Sequence, residues 1–169
     1  FRSTAYHRFL ECLDFRRDYG WSELKSAAED IVKNNLMSSD DAGMVYLRDI
    51  EKFCSGDLYR RMKEAALKGK LHKEAPFVMG IYAREVSPEY DSDDDVLVQG
   101  IIDVWFEEDG QIVLLDYKTD AVKDKEQLTE RYKKQMELYA KALKRSFGMD
   151  VKETLLYSFS LNEEISIAL

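Results

Sequence analysis

Two cysteines and two histidines are all the thiol and imidazole side chains in the 169-residue sequence. Cys12 and Cys54 form no C-x-x-C pair. Neither a structural zinc site nor a four-thiolate iron–sulfur cluster can be assembled from them alone. The expectation for both is a buried free thiol, and with it a reducing, cytoplasmic setting. Long apolar runs are missing too. No stretch approaches the roughly 20 residues a membrane helix needs, so no membrane contact is expected. No signal peptide is visible, and the chain starts at Phe1 rather than Met, as expected of a part of a longer protein. No G-x-x-x-x-G-K-[S/T] loop occurs, so ATP hydrolysis would have to reside elsewhere. Two histidines and no nucleophile motif leave serine or cysteine covalent catalysis poorly supported. A basic excess is also lacking: Lys and Arg total 25 against 33 Asp and Glu, a net charge of −8. That speaks against a general nucleic-acid-binding surface and is compatible with carboxylates collected around a cation.

What remains is the composition of a soluble globular protein, 45% hydrophobic and 34% charged. The length suits one domain that can bury a core without disulfides. Residues 1–70 read as a helical N-terminal layer and 71–169 as the core, together one structural domain. Tyr6, Phe9, Leu10 and Leu13 recur at helical spacing. A second helix is predicted from Ser22, as N-cap, to about Asn35. A third starts at Ser39-Asp40-Asp41 and carries the stripe Met44, Leu47, Ile50, Phe53, Cys54. A fourth follows Ser55-Gly56-Asp57 and runs to about Lys68. The period then changes. Strands are predicted over Phe77–Val86, Val96–Phe106 and Gln111–Lys118, with an acidic loop between Pro88 and Asp95. A long helix over Leu128–Phe147 ends at Gly148. Val151–Ser160 and Glu163–Ile167 complete the pattern. No internal repeat or low-complexity tract interrupts it. The order gives an α/β (α+β) fold around one mixed sheet with flanking helices.

Asp109-Gly110 between two apolar strands is a hairpin signal. If it is a two-residue turn, residues whose numbers sum to 219 oppose each other, and Asp103 faces Asp116 with Cβ atoms roughly 5 Å apart. If the loop is Glu107–Gly110, the two carboxylates lie diagonally on the same face. Lys118 shares that face by the two-residue period. Two carboxylates beside Ile101, Ile102 and Ile112–Leu115 repel, and one is driven to keep its proton. A divalent cation removes the conflict, and hard oxygen ligands suit Mg2+ or Mn2+. The alternative is a pair of strand-end carboxylates with Lys118 as an ordinary salt-bridge partner.

Gly100-Ile101-Ile102-Asp103, Asp116-Tyr117-Lys118-Thr119-Asp120, and Gln135 with Tyr139 in Q-x-x-x-Y spacing resemble the RecB-like branch of the PD-(D/E)XK nucleases. Within it the wording is similar to the C-terminal nuclease domain of the AddA family of helicase–nucleases, from Thr4 to about Ile165. The resemblance implies a restriction-endonuclease-like fold and metal-dependent hydrolysis of DNA. It implies metal ligation by Asp103 and Asp116, with the Tyr117 carbonyl as a further ligand, and action of Lys118 on the attacking water or the phosphate. His7, in Ser3-Thr4-Ala5-Tyr6-His7, matches a family histidine that ligates metal, with Ser3 where the family has Gly. Gln135 and Tyr139 would contact the site wall or DNA. Glu74, in Glu74-Ala75-Pro76-Phe77, Thr119 and Asp120 would support them. Implied partners are a single DNA strand delivered by a helicase motor, an N-terminal helicase part of the same chain, and an AddB-like partner protein. The alternative is a non-catalytic nuclease-fold docking module for DNA or protein. His72 matches no motif and is expected at the surface. Basic contributors near the site are Lys118, Lys123, Lys125, Arg131, Lys133 and Lys134.

Overall fold

The computed structural model describes residues 2–169. Five helices come first: α1 (Arg2–Cys12), α2 (Trp21–Lys33), α3 (Ser39–Gly43), α4 (Leu47–Cys54) and α5 (Asp57–Leu67). Strand β1 (Leu71–Tyr82), a helical turn α6 (Ala83–Val86), and strands β2 (Asp95–Glu108) and β3 (Gln111–Lys118) follow. Helix α7 (Lys125–Phe147) then leads into β4 (Val151–Ser158) and β5 (Glu163–Ser166). The sheet runs in the order β1-β2-β3-β4-β5, antiparallel except for the parallel pair β3–β4, which α7 connects. Among the described residues no helix is long and apolar enough to cross a membrane.

Two clusters of buried side chains sandwich this sheet. On one face Tyr6, Phe9, Leu24, Ile50, Phe53, Tyr59 and Met62 of the N-terminal helices pack on Val104, Phe106, Val113, Leu115 and Tyr117. On the other, Leu128, Met136 and Leu143 of α7 pack on Trp105, Ile112, Leu114 and Leu156. Residues 112–117 of β3 are buried on both faces, so this central strand is a continuous apolar run broken only by Asp116. The hairpin is the two-residue turn: Val104 pairs with Leu115 and Glu108 with Gln111. Asp109 and Gly110 both take positive φ, 53° and 74°, the combination a tight type I′ turn requires.

Several boundaries differ from the sequence reading. Helix α2 starts one residue early and is capped by Gly20, without a side-chain cap; Ser22 lies inside it. The expected third helix is two. Ser38 caps α3 by accepting the Asp41 N–H at 3.0 Å, and the chain then breaks to seat Val45 in the core before α4 begins. Met44, placed in the apolar stripe, is exposed. Helix α7 starts three residues earlier, at an Asp124 cap whose carboxylate accepts the Gln127 N–H. Strand β1 begins at Leu71, pairs with β2 from Leu71↔Phe106 to Tyr82↔Asp95, and turns helical at Ala83. Cys12 and Cys54 are half-buried beside the core rather than within it. His72 is not a free surface residue: it lies on β1 and stacks on Trp105, ring centroids 4.1 Å apart.

The ribbon β1–β2 outlasts its pairing with β3 and curls over α7. Phe77, Met79, Ile81 and Val98 pack against Leu138 and Ala142. A Cβ on Gly100 would lie 3.0 Å from the Phe77 ring and 3.6 Å from that of Tyr139. Gly100→Val is therefore expected to overpack this contact and cost about 1–3 kcal/mol of unfolding free energy. Urea denaturation measures it; an unchanged midpoint would mean that the ribbon does not rest on α7 as described.

Candidate metal centre

The pairing of β2 with β3 stops at Val104↔Leu115. The next residues on the two strands are Asp103 and Asp116. There the Asp103 carboxylate, not a backbone carbonyl, accepts the Tyr117 N–H, at 2.9 Å. On the other side of Asp103, β1 pairs Lys73 with Val104 and Ala75 with Ile102, leaving Glu74 between them at φ 49°. Glu74 is where the ribbon changes face. Before it, Lys73 reaches the N-terminal layer, its ammonium donating to the carbonyls of Glu11 and Leu13 at 2.8 Å each. After it, Ala75, Phe77, Met79 and Ile81 turn toward α7, although alternation would keep them on the Lys73 side. The two carboxylates thus stand in a split between the two helical layers.

Helix α1 brings His7 to this split. Tyr6, fully buried, fixes the helix: its hydroxyl donates to Asp49 at 2.6 Å and accepts the Tyr46 N–H at 3.2 Å. One residue further round, His7 places Nε2 2.8 Å from Asp103 Oδ2 and Nδ1 2.7 Å from the Ser3 carbonyl. The Ser3 hydroxyl lies near the same nitrogen, with Oγ 3.5 Å from Nδ1. Donor atoms of His7, Asp103 and Asp116 all lie within 4.8 Å of one another.

Lys118 and α7 close the other side. The Lys118 ammonium is 2.7 Å from Asp116 and 3.3 Å from Gln135 Oε1. Gln135 in turn donates to the Tyr139 hydroxyl at 3.1 Å, and the Tyr139 ring packs edge-on against Phe77. Gln135 thus bridges Lys118 on β3 and Tyr139 on its own helix. Asp120, past the end of β3, accepts from Arg131 at 2.6 Å and from the Tyr132 hydroxyl at 2.7 Å. Thr119 is half-buried and enters none of these bonds. Glu74 is half-buried beside His7 and Asp103 but outside the three-donor group. Tyr117 gives its amide to Asp103, while its side chain is buried among aromatics with the hydroxyl unpartnered.

Asp103 and Asp116 are only 9% and 4% exposed. Burial, then the hydrogen bond and charge of Asp103, push the Asp116 pKa well above the usual carboxylate range. Burial acts on Asp103 in the same sense, but His7, Asp116 and the Tyr117 amide hold its pKa below normal. Burial would lower the His7 pKa; the Asp103 hydrogen bond and charge, the Ser3 carbonyl and Asp116 outweigh it and raise the pKa to about 9. Glu74 is raised by burial and then by Asp103. The metal-free arrangement thus retains protons on donors that a cation would displace. One imidazole nitrogen, two buried carboxylates, and a His Nδ1–H already oriented by a carbonyl form a donor set that fits a divalent ion.

A nuclease-family signature runs through the chain: the model of the PD-(D/E)XK nuclease superfamily matches residues 4–165. The chain is 34% identical over 201 aligned residues to an ATP-dependent helicase/nuclease of the AddA type from Lachnoclostridium phytofermentans, covering 98% of this chain and 15% of that one. It is 34% identical over 170 residues to the ATP-dependent helicase/nuclease of the same type from Clostridium botulinum (strain Kyoto / Type A2), covering 98% and 13%. The chain therefore spans well under a fifth of these relatives' length. The crystal structure of SSO0001 superposes with a TM-score of 0.41 at 12% identity over 91% of this chain and 64% of that one, too distant to bear on the site. With the family match spanning both helical layers and the sheet between them, the chain belongs to the PD-(D/E)XK nuclease superfamily and is homologous to the nuclease part of the AddA helicase/nucleases.

Proposed function

We propose that this chain hydrolyses DNA phosphodiester bonds with Mg2+ or Mn2+, as the nuclease part of a longer ATP-dependent helicase/nuclease. The observation that carries the proposal is the convergence of His7, Asp103 and Asp116 beside Lys118 at the split between β2 and β3. In this reading His7, Asp103, Asp116 and the Tyr117 carbonyl hold the ion. The ion, when bound, supplies Lewis acidity to a phosphate oxygen and to the attacking water. Lys118 directs its ammonium at that water or at the charge developing on the phosphate. Gln135 and Tyr139 form the wall behind Lys118, and Glu74, Thr119 and Asp120 border the cleft. Residues 1–70 and 71–169 act as one unit, since His7 comes from the first and the carboxylates from the second. The substrate is a single strand delivered by the motor part, in the cytoplasm, and the partner is an AddB-like protein. A non-catalytic docking module has no use for a lysine bonded to a buried carboxylate pair, and metal-dependent cleavage separates the two readings.

Asp116→Ala and Lys118→Ala are expected to abolish cleavage of a single-stranded oligonucleotide, with circular dichroism unchanged. Wild-type rates in Asp116→Ala would overturn the assignment. The sign of a second effect follows from the raised Asp116 pKa. A carboxyl that binds its proton more tightly in the folded state loses stability as pH rises toward its folded pKa. Asp116→Asn removes that loss, so the metal-free variant is expected to melt higher than wild type at pH 8 and to gain nothing from Mg2+. A lower melting temperature would mean that the ionised pair is stabilising.

Because His7 and Asp116 hold protons in the metal-free protein, ion binding must displace them. Mn2+ affinity is expected to climb between pH 6 and 9, with release of about one to two protons per ion. Calorimetry in two buffers of different ionisation enthalpy reads this directly. Proton-neutral binding at pH 7 would place the ion elsewhere.

The basic residues near the site are few and partly spoken for. Arg131 is paired with Asp120 and Lys134 with Glu137, whereas Lys123, Lys125 and Lys133 are exposed. With about three phosphates neutralised, log affinity for single-stranded DNA should fall with log salt at a slope of about −2. A cleavage-dead variant binding an oligonucleotide tightly and without salt dependence would reveal a recognition surface of another kind.

A further inference from the structure

The lysine of the site is held by more than the residues of the sequence motif. Its Nζ lies 3.7 Å from the centroid of the Tyr132 ring, on the same face of α7 as Gln135 and Tyr139. The Tyr132 hydroxyl points the other way and donates to Asp120 at 2.7 Å, and Asp120 also accepts from Arg131 at 2.6 Å. Asp120 follows Lys118 by two residues, so the end of β3 and the first turns of α7 are joined on both sides of one aromatic ring. The Lys118 side chain is only 13% exposed. We propose that Tyr132, with its ring fixed by Asp120, is the positioning residue for Lys118: the ring face holds the ammonium over the carboxylate pair. This rests on the nuclease reading of the site and names a residue outside the family motif.

The need for such a ring follows from the charges. Without an ion, Asp116 at 2.7 Å is the one acidic group in salt-bridge reach of Lys118 among the described residues, and it carries charge only when its proton leaves. A divalent ion on the same carboxylates would compete for that charge and repel the ammonium. The two contacts that do not weaken are uncharged. One is Gln135 Oε1 at 3.3 Å, a long hydrogen bond. The other is the π face of Tyr132, attracted to a cation by its quadrupole and strongest where water is excluded. Burial and the Asp120 carboxylate push the Tyr132 hydroxyl pKa up to about 12, so it stays a donor across the working pH range. A tyrosine serving only to fill the α7 packing would need neither the ammonium over its face nor an acidic acceptor for its hydroxyl.

The experiment compares wild type with Tyr132→Leu, Tyr132→Phe, Asp120→Ala and Lys118→Ala. Four quantities are read: kcat and KM on a single-stranded oligonucleotide with Mg2+, Mg2+ affinity by calorimetry, melting temperature, and the NMR shift of the Lys118 ε-methylene. The ring current should move that signal upfield in wild type, with and without Mg2+. Tyr132→Leu is expected to return it to the shift of an exposed lysine and to lower kcat about tenfold, leaving KM and Mg2+ affinity unchanged. Tyr132→Phe keeps the ring but loses the bond to Asp120, so its shift and kcat should fall between those of wild type and Tyr132→Leu, as in Asp120→Ala. If Tyr132→Leu does not fold, Asp120→Ala carries the test, releasing the hydroxyl without touching the core and giving a smaller shift and a lower kcat. Wild-type kcat in Tyr132→Leu alongside an inactive Lys118→Ala, or an unshifted Lys118 signal in wild type, would overturn the proposal. If wild type itself cleaves no DNA, the nuclease reading fails, and the lysine shift still decides whether the ring holds the ammonium.

Discussion

Two carboxylates buried side by side where a pair of strands comes apart impose the main constraint on this protein. At their depth an ionised pair is strongly disfavoured, so each charge must be met locally or kept protonated. Asp103 is met by three donors from two elements: the imidazole of α1, the Tyr117 amide of β3, and the proton shared with Asp116, also on β3. Asp116 is met by Lys118 alone and retains its proton. Much of the surrounding architecture holds those donors still. Tyr6 pins the helix that carries His7, and Gln135 and Tyr132 pin the lysine. Removing His7 would leave the buried charge of Asp103 without its cationic partner, a larger loss than the net worth of the pair itself.

The split needs a second device. A ribbon that leaves its neighbouring strand must turn its apolar face to another surface, or expose it. Glu74 accomplishes this by taking φ 49°, a conformation that costs a non-glycine residue on the order of 1 kcal/mol. Such strain persists only where the surroundings fix it, and here both flanks are fixed. Lys73 is clamped to two carbonyls at the end of α1, and Phe77 is wedged against Gly100 and Tyr139. The distal ribbon consequently covers α7 on one side and leaves Val78, Leu97 and Ile101 exposed on the other. Glu74 itself ends beside Asp103 and His7, so the residue that redirects the ribbon also adds a carboxylate at the rim of the cleft.

What could be seen in the sequence divides along the range of the forces involved. Asp109-Gly110 is a local conformational signal, and with it the register that opposes Asp103 to Asp116 is simple arithmetic; the ladder agrees. The long helix and its Gly148 end are equally local, with φ 68° at the glycine. Periodicity misled where the faces change. The start of β1 reads as polar because Lys73 and Glu74 occupy the turnover between two layers. The single helix expected around Met44 breaks because Val45 is drawn into a core built mostly by other elements. His72 gave no signal, since its partner Trp105 sits on a neighbouring strand. His7 could be singled out only through the family resemblance, as nothing local distinguishes it from a boundary histidine. Tyr132 recurs at helical spacing with Leu128, Gln135 and Tyr139, but its use of both ring face and hydroxyl depends on where β3 ends.

The same distinction bears on the acidic charge. A net charge of −8 describes the whole surface, whereas the cleft is set by a few groups within about one Debye length of each other. The acidic loop between β1 and β2 lies at the far end of the ribbon, past the helical turn α6, where Arg84 pairs with Asp93. At the cleft, by contrast, Asp103 and Asp116 have a lysine and a histidine against them, and exposed lysines follow, Lys123 before α7 and Lys125 and Lys133 within its first turns. Buried carboxylates would contribute little to the field felt by an approaching strand were an ion to neutralise them, while exposed ammonium groups act on it within a Debye length. The sign of the total charge is therefore a poor guide to the sign at the site: an acidic composition is compatible with a cleft whose carboxylates have a lysine and a histidine against them.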